Sequence, residues 1–281
     1  MEPLVSVIIP TKNSARTIEA CLRSVKYQDY KNIEIIVVDN FSTDGTQEIA
    51  KKYTEKVYEQ WPERTAQKNY GISKSIWDYL CFIDSDMILS WHVISECVKK
   101  IHEASYIGGI CIPEKSIGNG IFAQIRDFER SFYSWTAIES ARFFRKEDVT
   151  IVWGFEEDLI FYEESLLPQK IESQLKKNCK MWIISHIEHN EVSITLIPWL
   201  KKKFYYGKSL SEYKRKSWLI GIKQTWMKQI SILGRYLIFL SNKRFYSRPL
   251  LALWVLGLKT LEFSAGILGL LVHKFWNSWK I

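Results

Sequence analysis

The sequence predicts an α/β fold with a mostly parallel central sheet, followed by C-terminal amphipathic or transmembrane helices. Between residues 4 and 112, short runs of apolar, β-branched residues alternate with segments of helical spacing. Several runs stop abruptly at polar residues, as buried parallel strands do where they leave the core. From residue 197 onwards, cationic and aromatic residues dominate instead.

The first strand is predicted over Leu4–Ile9, a β-branched run that ends at Pro10. Apolar residues then recur every three to four positions, which predicts a helix over Ala15–Gln28. The next expected elements are strand 33–38, helix 45–53, strand 57–59, helix 64–75, strand 79–83, helix 92–103 and strand 106–112. Beyond them we expect helices over 121–142 and 163–178 and a late strand over 181–187.

We expect a catalytic domain over residues 1–196 and two further segments after it. Residues 197–248 hold thirteen Lys and Arg against one acidic residue, Glu212, and predict a basic, amphipathic segment at a membrane interface. Residues 249–281 are largely apolar and predict a membrane-associated helix or helical hairpin, on which Lys259 and Glu262 can pair. One spanning helix, a hairpin and helices lying in the interface all stay open.

Two other interpretations of the C-terminal region are weaker. Amphipathic helices that pack on the globular part would show a similar pattern, and a nucleic-acid partner is not expected because no recognised module accompanies the charge.

The five cysteines are scattered and predict reduced core residues. Met1-Glu2-Pro3 leads directly into the predicted first strand, so no signal peptide is expected. We therefore expect a membrane-associated protein whose catalytic domain is cytoplasmic.

The stretch Asp84-Ser85-Asp86 follows the buried strand 79–83 directly. Residues i and i+2 of an extended segment project to the same side, so both carboxylates can face one site. Open α/β sheets bind ligands at the carboxyl ends of their strands. Paired carboxylates at that place suit a hard divalent cation that also binds phosphate oxygens. Asp-x-Asp alone is a weak motif, but its position after a buried strand favours a functional role.

Three other stretches belong to the same edge of the predicted sheet. The loop after the first strand, Pro10-Thr11-Lys12-Asn13, contains no glycine, which argues against a dinucleotide-binding fold. Asp39 ends the second strand, where it can accept hydrogen bonds from a base or a ribose. The segment Arg64–Gly71, with Arg64, Lys68 and Asn69, is a polar helix start able to face phosphate or ribose.

These motifs, taken in order, resemble glycosyltransferase family 2, whose members have the GT-A fold. The resemblance covers Val5 to Leu210. Asp39 to Gly45 resembles the family stretch V-V-D-D-G-S-T-D-G-T, with Asn40 and Phe41 in place of the second Asp and its Gly. Arg142 to Glu147 and Gly154 to Leu159 resemble R-F-F-R-R-E and G-G-F-D-E-D-L, with Trp153 at the first glycine.

The resemblance implies roles for individual residues. Asp39 would contact the nucleotide base, Asp84 and Asp86 would bind the metal, and His189 would approach the metal or the diphosphate. Members often read G-E-D-W-D-L-P where this chain has Tyr162 to Pro168. The candidates for the general base are therefore Glu164 first, then Glu163 and Asp158, although a carboxylate at a helix start can also be structural. Pro10, Thr11, Asn13, Arg64, Lys68, Asn69 and Asp84 complete the expected donor site.

The expected function is an inverting glycosyltransferase that uses Mg²⁺ or Mn²⁺, with inversion taken from the resemblance. The donor is a nucleotide-diphosphate sugar, GDP-mannose ahead of a UDP-hexose, and the acceptor is lipid-linked. Two alternatives stay open: a nucleotidyltransferase, which would release pyrophosphate, and a non-catalytic nucleotide-sugar-binding scaffold.

Overall fold

The computed structural model describes residues 2–76, 78–136, 138–159, 161–191, 195–219 and 231–278. Within these residues the chain forms two compact units. The first comprises Met1–Lys115 and Glu139–Asn190, and the second comprises Ser116–Ile138 and Glu191–Ile281. The second unit is therefore discontinuous in sequence, because its first segment is inserted into the chain of the first unit.

The first unit contains a seven-stranded sheet in the order β3-β2-β1-β4-β8-β6-β9. Strands β1 to β4 are mutually parallel, β8 is antiparallel to both neighbours, and β6 pairs with β9 in parallel. The prediction of a mostly parallel sheet is thus confirmed. The strands are β1 Val5–Thr11, β2 Ile33–Asp39, β3 Val57–Glu59, β4 Tyr79–Phe82, β6 Gly109–Cys111, β8 Ala141–Arg145 and β9 Met181–Trp182.

Helices cover both faces of this sheet, as burial of the apolar strands requires. The helices of the first unit are α1 Ile18–Lys26, α2 Thr46–Ala50, α3 Arg64–Lys74, α4 Val93–His102, α6 Lys146–Ile151 and α7 Glu163–Leu175. One core cluster joins α1 and α4 to the sheet through residues such as Leu22 and Ile101. The other joins α6 and α7 through residues such as Val149 and Ile171. The central strands β1, β2 and β4 are therefore buried on both sides, which explains their nearly uninterrupted apolar sequences.

A small second sheet has the order β5-β10-β7. Its strands are β5 Met87–Leu89, β7 Glu114–Ile117 and β10 Ile187–Asn190. β5 and β10 are antiparallel, with His189 opposite Met87. This sheet was not predicted, because strands of three or four residues leave too short a pattern to read.

One helix prediction and one strand prediction were only partly right. The helix expected over 121–142 ends earlier, as α5 Ile121–Arg130, and the last residues of that range begin β8. The strand expected over 181–187 consists of β9 and the start of β10. Pro168 is tolerated inside α7, as expected, because α7 begins only five residues before it.

The second unit is mainly helical. Besides α5 it contains α8 Leu196–Gly207, α9 Leu210–Leu219, α10 Ile232–Leu240, a 3-10 helix over Lys243–Ser247, and α11 Pro249–Ser278. Its core is aromatic, with Phe128, Phe132, Phe239 and Phe245 in mutual ring contact. The apolar segment predicted over 249–281 is one continuous helix up to Ser278. Residues 220–230 and 279–281 of the predicted segments lie outside the described residues, and the three-segment division stays a prediction.

Candidate active site

The candidate site lies where β1, β2 and β4 reach their carboxyl ends. Thr11 of β1 pairs with Asp39 of β2, and Ile8 of β1 pairs with Phe82 of β4. The Asp84-Ser85-Asp86 segment forms a tight turn just beyond β4, in which the Met87 amide donates to the Asp84 carbonyl at 3.0 Å. The parallel register therefore brings Asp39 and Asp84 to the same edge of the sheet.

The two aspartates of this turn have different neighbours. Asp84 Oδ2 lies 3.5 Å from Arg64 Nη1, and the rest of its carboxylate is largely buried. Asp86 is more exposed, and its Oδ1 lies 3.8 Å from His189 Nδ1. His189 Nε2 in turn lies 3.2 Å from Glu114 Oε2. The β5–β10 pairing places His189 next to the Asp84-Ser85-Asp86 turn, because His189 lies opposite Met87.

The carboxylates fit a divalent cation, although the described part of the chain holds no group of three or more His, Cys, Asp or Glu arranged to chelate one. Asp84 Oδ1 is buried without a hydrogen-bond partner there. A buried, unpaired carboxylate oxygen is costly unless it meets a cation or a donor. Asp84, Asp86 and His189 would therefore hold Mg²⁺ or Mn²⁺ from one side, leaving positions for substrate oxygens and water.

A cluster of ion pairs lies beside Asp84. Arg64 and Lys68, one turn apart on α3, both contact Glu163 Oε1, at 2.8 and 3.3 Å. Lys68 Nζ also contacts Glu164 Oε1 at 2.8 Å, and Arg142 Nη2 lies 3.5 Å from Glu164 Oε2. The start of α7 thus presents two adjacent carboxylates to three cations. Counting Asp84, Asp86 and Glu114 as well, five carboxylates face three cations and leave two net negative charges.

The cations determine the protonation of this cluster. Burial tends to raise the pKa of Asp84, but Arg64, Lys68 and Arg142 together outweigh it and hold that pKa below its ordinary value. Burial likewise opposes ionisation of Glu164, yet Arg142, Lys68 and Arg64 together hold its pKa well below the usual range. Both groups are therefore carboxylates at neutral pH. Neither can serve as a proton donor there.

The predicted nucleotide-facing residues form one hydrogen-bonded loop system. Asp39 is fully buried and accepts hydrogen bonds from the Ser42 amide at 2.7 Å and from Gln47 Nε2 at 2.9 Å. Asn13 Oδ1 accepts from the Thr43 amide at 3.0 Å, which ties the loop after Pro10 and Thr11 to the loop after β2. The buried Asp39 carboxylate therefore stabilises the conformation of the loop after β2.

Phe41 stands out in the same loop. It has a φ of 50° and half of its ring surface is exposed. A left-handed backbone is costly for a bulky side chain, and the family pattern has glycine at this position. The chain thus places an exposed aromatic ring beside the residue expected to contact the base.

Two predicted donor-site residues on α3 point into the protein. Lys68 is fully buried between Glu163 and Glu164, and its Nζ also lies 5.1 Å from the centre of the Phe155 ring. Asn69 donates to the Phe155 carbonyl at 2.9 Å and accepts from the Phe155 amide at 2.9 Å. Asn69 thereby holds the loop around Gly154, where an added Cβ would collide with the Asn69 side chain.

The three base candidates differ in position. Glu163 is buried and bonded to both Arg64 and Lys68, whereas Glu164 keeps part of its carboxylate accessible beside Arg142. Asp158 is exposed in the loop that follows Trp153, a residue with a φ of 62° and an 88% exposed ring. Glu163 and Glu164 both form ion pairs with the cations around Asp84.

The sequence did not point to Arg142 and Glu114 as site residues. Arg142 Nη2 contacts Glu114 Oε1 at 2.7 Å, which links the Glu164 cluster to His189. Because β8 runs antiparallel to β4, its first residues lie at the carboxyl end of β4. Arg142 begins the Arg-Phe-Phe-Arg stretch that resembles a family motif, so the sequence did mark this residue. Placing Arg142 at the site also required the direction of β8, which the sequence did not reveal. Glu114 carries no comparable signal.

The sequence matches glycosyl transferase family 2 over residues 6–155, more than half of the chain. This chain therefore belongs to glycosyl transferase family 2, and its fold is the expected GT-A type. A curated relative is the GalNAc(5)-diNAcBac-PP-undecaprenol beta-1,3-glucosyltransferase of Campylobacter jejuni, 31% identical over 124 residues, which are 40% of this chain and 40% of that protein. The chain thus spans less than half the length of this relative.

Solved structures share the fold at low identity. The mannosyltransferase PcManGT of Pyrobaculum calidifontis, solved in complex with GDP-Man and Mn2+, is 16% identical with a TM-score of 0.65 over 96% of this chain and 88% of that one. TarS 1-349 of S. aureus, in complex with UDP-GlcNAc, is 18% identical with a TM-score of 0.57 over 92% of this chain and 81% of that one.

Proposed function

We propose that this protein is a metal-dependent, inverting hexosyltransferase that moves a sugar from a nucleotide-diphosphate sugar to a lipid-linked acceptor. The observation that supports it best is the arrangement around Asp84. Asp84, with an unpaired buried carboxylate oxygen, lies beside Arg64, and Asp86 lies beside His189, at the sheet edge where α/β proteins bind nucleotides.

Charge supports a diphosphate partner that arrives with a divalent cation. The cluster has two net negative charges before any ligand binds. A bare diphosphate would be repelled, whereas Mg²⁺ or Mn²⁺ held by Asp84, Asp86 and His189 would neutralise charge on the leaving diphosphate. Arg64 is partly exposed and lies 3.5 Å from Asp84, so it can exchange its carboxylate partners for phosphate oxygens.

Glu164 is the proposed general base. Its carboxylate is ionised and partly accessible, so it can accept the proton of an acceptor hydroxyl that attacks the anomeric carbon. Lys68 and Arg142 orient the carboxylate, and they also lower its basicity. Movement of Arg64 towards a bound diphosphate would remove one of the charges that depress the pKa of Glu164. Glu163, which is more deeply buried, would act as a partner for Arg64 and Lys68.

The donor and the acceptor are proposed by class. GDP-mannose is favoured over a UDP-hexose by the family resemblance, and both are donors named with structural neighbours. The undecaprenol-linked substrate in the name of the Campylobacter relative supports a lipid-linked acceptor, met on the cytoplasmic side of a membrane. The structure has one helix long and apolar enough to cross a membrane, Pro249–His273, within its described residues.

The decisive experiment separates donor binding from transfer. We expect GDP-mannose or a UDP-hexose to raise the melting temperature only with Mn²⁺ present. Asp86→Asn should abolish that stabilisation. Asp78→Asn, at the opposite end of the same strand, is the matched control and should keep it.

Glu164→Gln should keep the metal-dependent stabilisation and lose transfer by at least about a hundredfold. Normal transfer by Glu164→Gln would refute the base assignment. Release of pyrophosphate instead of a nucleoside diphosphate would favour the nucleotidyltransferase, and binding without any turnover would favour the scaffold.

A further inference from the structure

Helix α11 has an apolar stripe that the described residues leave largely exposed. Its members are spaced one, three, four or seven residues apart, from Leu250, which is 76% exposed, to Phe275, which is 72% exposed. This spacing places them on one face of the helix, over roughly 37 Å. The stripe is defined by Leu250, Leu253, Trp254, Leu261, Leu268, Leu271 and Phe275.

The opposite face of α11 carries buried charges. Lys259 and Glu262, 6% and 7% exposed, pair with each other one turn apart. Lys259 also contacts Glu129 of α5, and Glu262 accepts a hydrogen bond from Trp199 Nε1 of α8 at 2.7 Å. These bonds fix one side of α11 to two shorter helices of the same unit.

This attachment argues against a helix that crosses the bilayer. Lys259 and Glu262 lie near the middle of the apolar segment Pro249–His273, so a spanning α11 would carry α5 and α8 to the centre of the hydrocarbon layer. Those helices have ten and twelve residues, too short to cross it themselves. Lys201 and Lys202 of α8 are exposed, and charged side chains are costly at that depth.

Exposed cations lie on the elements that contact α11. Besides Lys201 and Lys202 on α8, they are Lys243 and Arg244 of the 3-10 helix and Arg248, which precedes α11. An apolar helix face in a unit that also exposes cations suits a helix that lies in the headgroup region of anionic lipid.

We propose that α11 lies in the plane of an anionic lipid surface, with its apolar stripe inserted and both of its ends on the same side of the membrane. This deepens the proposed function by naming how the membrane is met, but it is tested without donor, acceptor or turnover. The stripe would hold the second unit at the surface where a lipid-linked acceptor is exposed.

The first test is flotation of the full chain with vesicles in the absence of nucleotide. We expect binding to vesicles with anionic lipid and at least tenfold weaker binding to purely zwitterionic vesicles or at high salt. The double variant Leu261→Glu, Leu268→Glu should lose at least tenfold in affinity. Ile151→Glu, an equally exposed apolar position in the first unit, is the matched control and should bind normally.

The second test is topology. With tags at the two chain ends in sealed membrane vesicles, we expect protease to remove both tags from the same side. Tags on opposite sides would overturn the proposal. So would vesicle binding that is unchanged in the double variant, or a lipid-free dimer that this variant converts to a monomer while vesicle binding persists. Loss of transfer with intact vesicle binding would count against the proposed function alone.

Discussion

At the scale of single residues, the candidate site depends on which cation each carboxylate meets. Glu163 and Glu164 are adjacent at the first turn of α7, yet Glu163 is bonded to Arg64 and Lys68, while Glu164 faces Lys68 and Arg142. Arg142 is also buried on the Glu164 side, and it holds Glu114 as well. It is therefore a positioning residue for Glu164, and it sets the pH at which Glu164 becomes protonated.

Replacing Arg142 with Met should change the pH dependence of transfer. In the native chain the pKa of Glu164 lies well below its ordinary value, so the base stays ionised until the pH is strongly acidic. Loss of the guanidinium should raise that pKa, and the acidic limb of the kcat/KM profile should move upwards by on the order of one pH unit. An acidic limb that does not move would exclude Glu164 as the titrating base.

The matched control for this measurement is Arg145→Met. Arg145 belongs to the same strand but lies at its other end, where its guanidinium lies 3.3 Å from the Tyr79 hydroxyl. Its removal should leave the pH profile unchanged even where it lowers stability. Rescue of the native profile by Arg142→Lys would show that charge, and not the guanidinium shape, sets the pKa of Glu164.

The sequence revealed the site residues that belong to continuous motifs and missed those that depend on strand direction. Asp84 and Asp86 were predicted because they interrupt an apolar run directly after a strand. Arg142 and Glu114 lie 28 residues apart in sequence and meet because β8 runs antiparallel to β6, which Glu114 follows. The metal role of Asp86 and His189 stays a prediction that the ligand experiments address.

At the scale of elements, helices α8 and α11 approach each other through glycine. A Cβ added to Gly269 would collide with the backbone carbonyl of Phe204, and one added to Gly207 would collide with the backbone of Gly266. Such close approach allows Trp199 and Lys203 of α8 to reach Glu262. The ion pairs of the second unit therefore depend on two positions that carry no side chain.

Gly269→Ala should destabilise the protein, because the two helices must separate to admit the methyl group. We expect a loss of about 1–3 kcal/mol in the free energy of unfolding, measured by denaturant titration. Gly257→Ala is the matched control on the same helix, since an added Cβ there meets nothing within 4 Å. It should be neutral or stabilising by up to about 1 kcal/mol. Equal effects of the two variants would contradict the close packing.

Elements were predicted from sequence where burial left a clear pattern. The apolar runs of β1, β2 and β4 identified those strands within one or two residues, because strands buried on both faces have few polar interruptions. The first two residues of β8, Ala141 and Arg142, were predicted as the end of a helix, and the rest of β8 was not predicted as a strand. Its pairing with β4 and β6 decides its conformation, and pairing across the sheet leaves no local signal.

At the scale of the whole molecule, charge is divided between exposed and buried groups. The chain has a net charge of +8, and the cations of α8 and the 3-10 helix are largely exposed. The second unit nevertheless encloses an ion network, in which Arg126, Lys203 and Lys259 surround Glu129 and Glu262. Burial there, only partly offset by Glu262, lowers the pKa of Lys203 to about 8.

The lowered pKa of Lys203 predicts a pH-dependent stability. The unfolded chain binds more protons than the folded chain between pH 8 and the ordinary lysine pKa of 10.5, so this group makes stability rise with pH across that window. Below pH 8 the full cost of a buried ammonium applies. Lys203→Met should therefore be more stable than the native chain at pH 7, with a difference that shrinks as the pH approaches 10. A difference independent of pH would contradict this assignment.

The inserted segment Ser116–Ile138 has a practical consequence for anyone who shortens the chain. Removing everything after residue 196 would spare the residues that match the family, yet it would remove Phe245, which stacks on Phe128 of α5, and Lys259, one of the cations that pair with Glu129. The shortened protein should therefore aggregate and precipitate. Solubility would be better sought by substituting polar residues along the apolar stripe of α11.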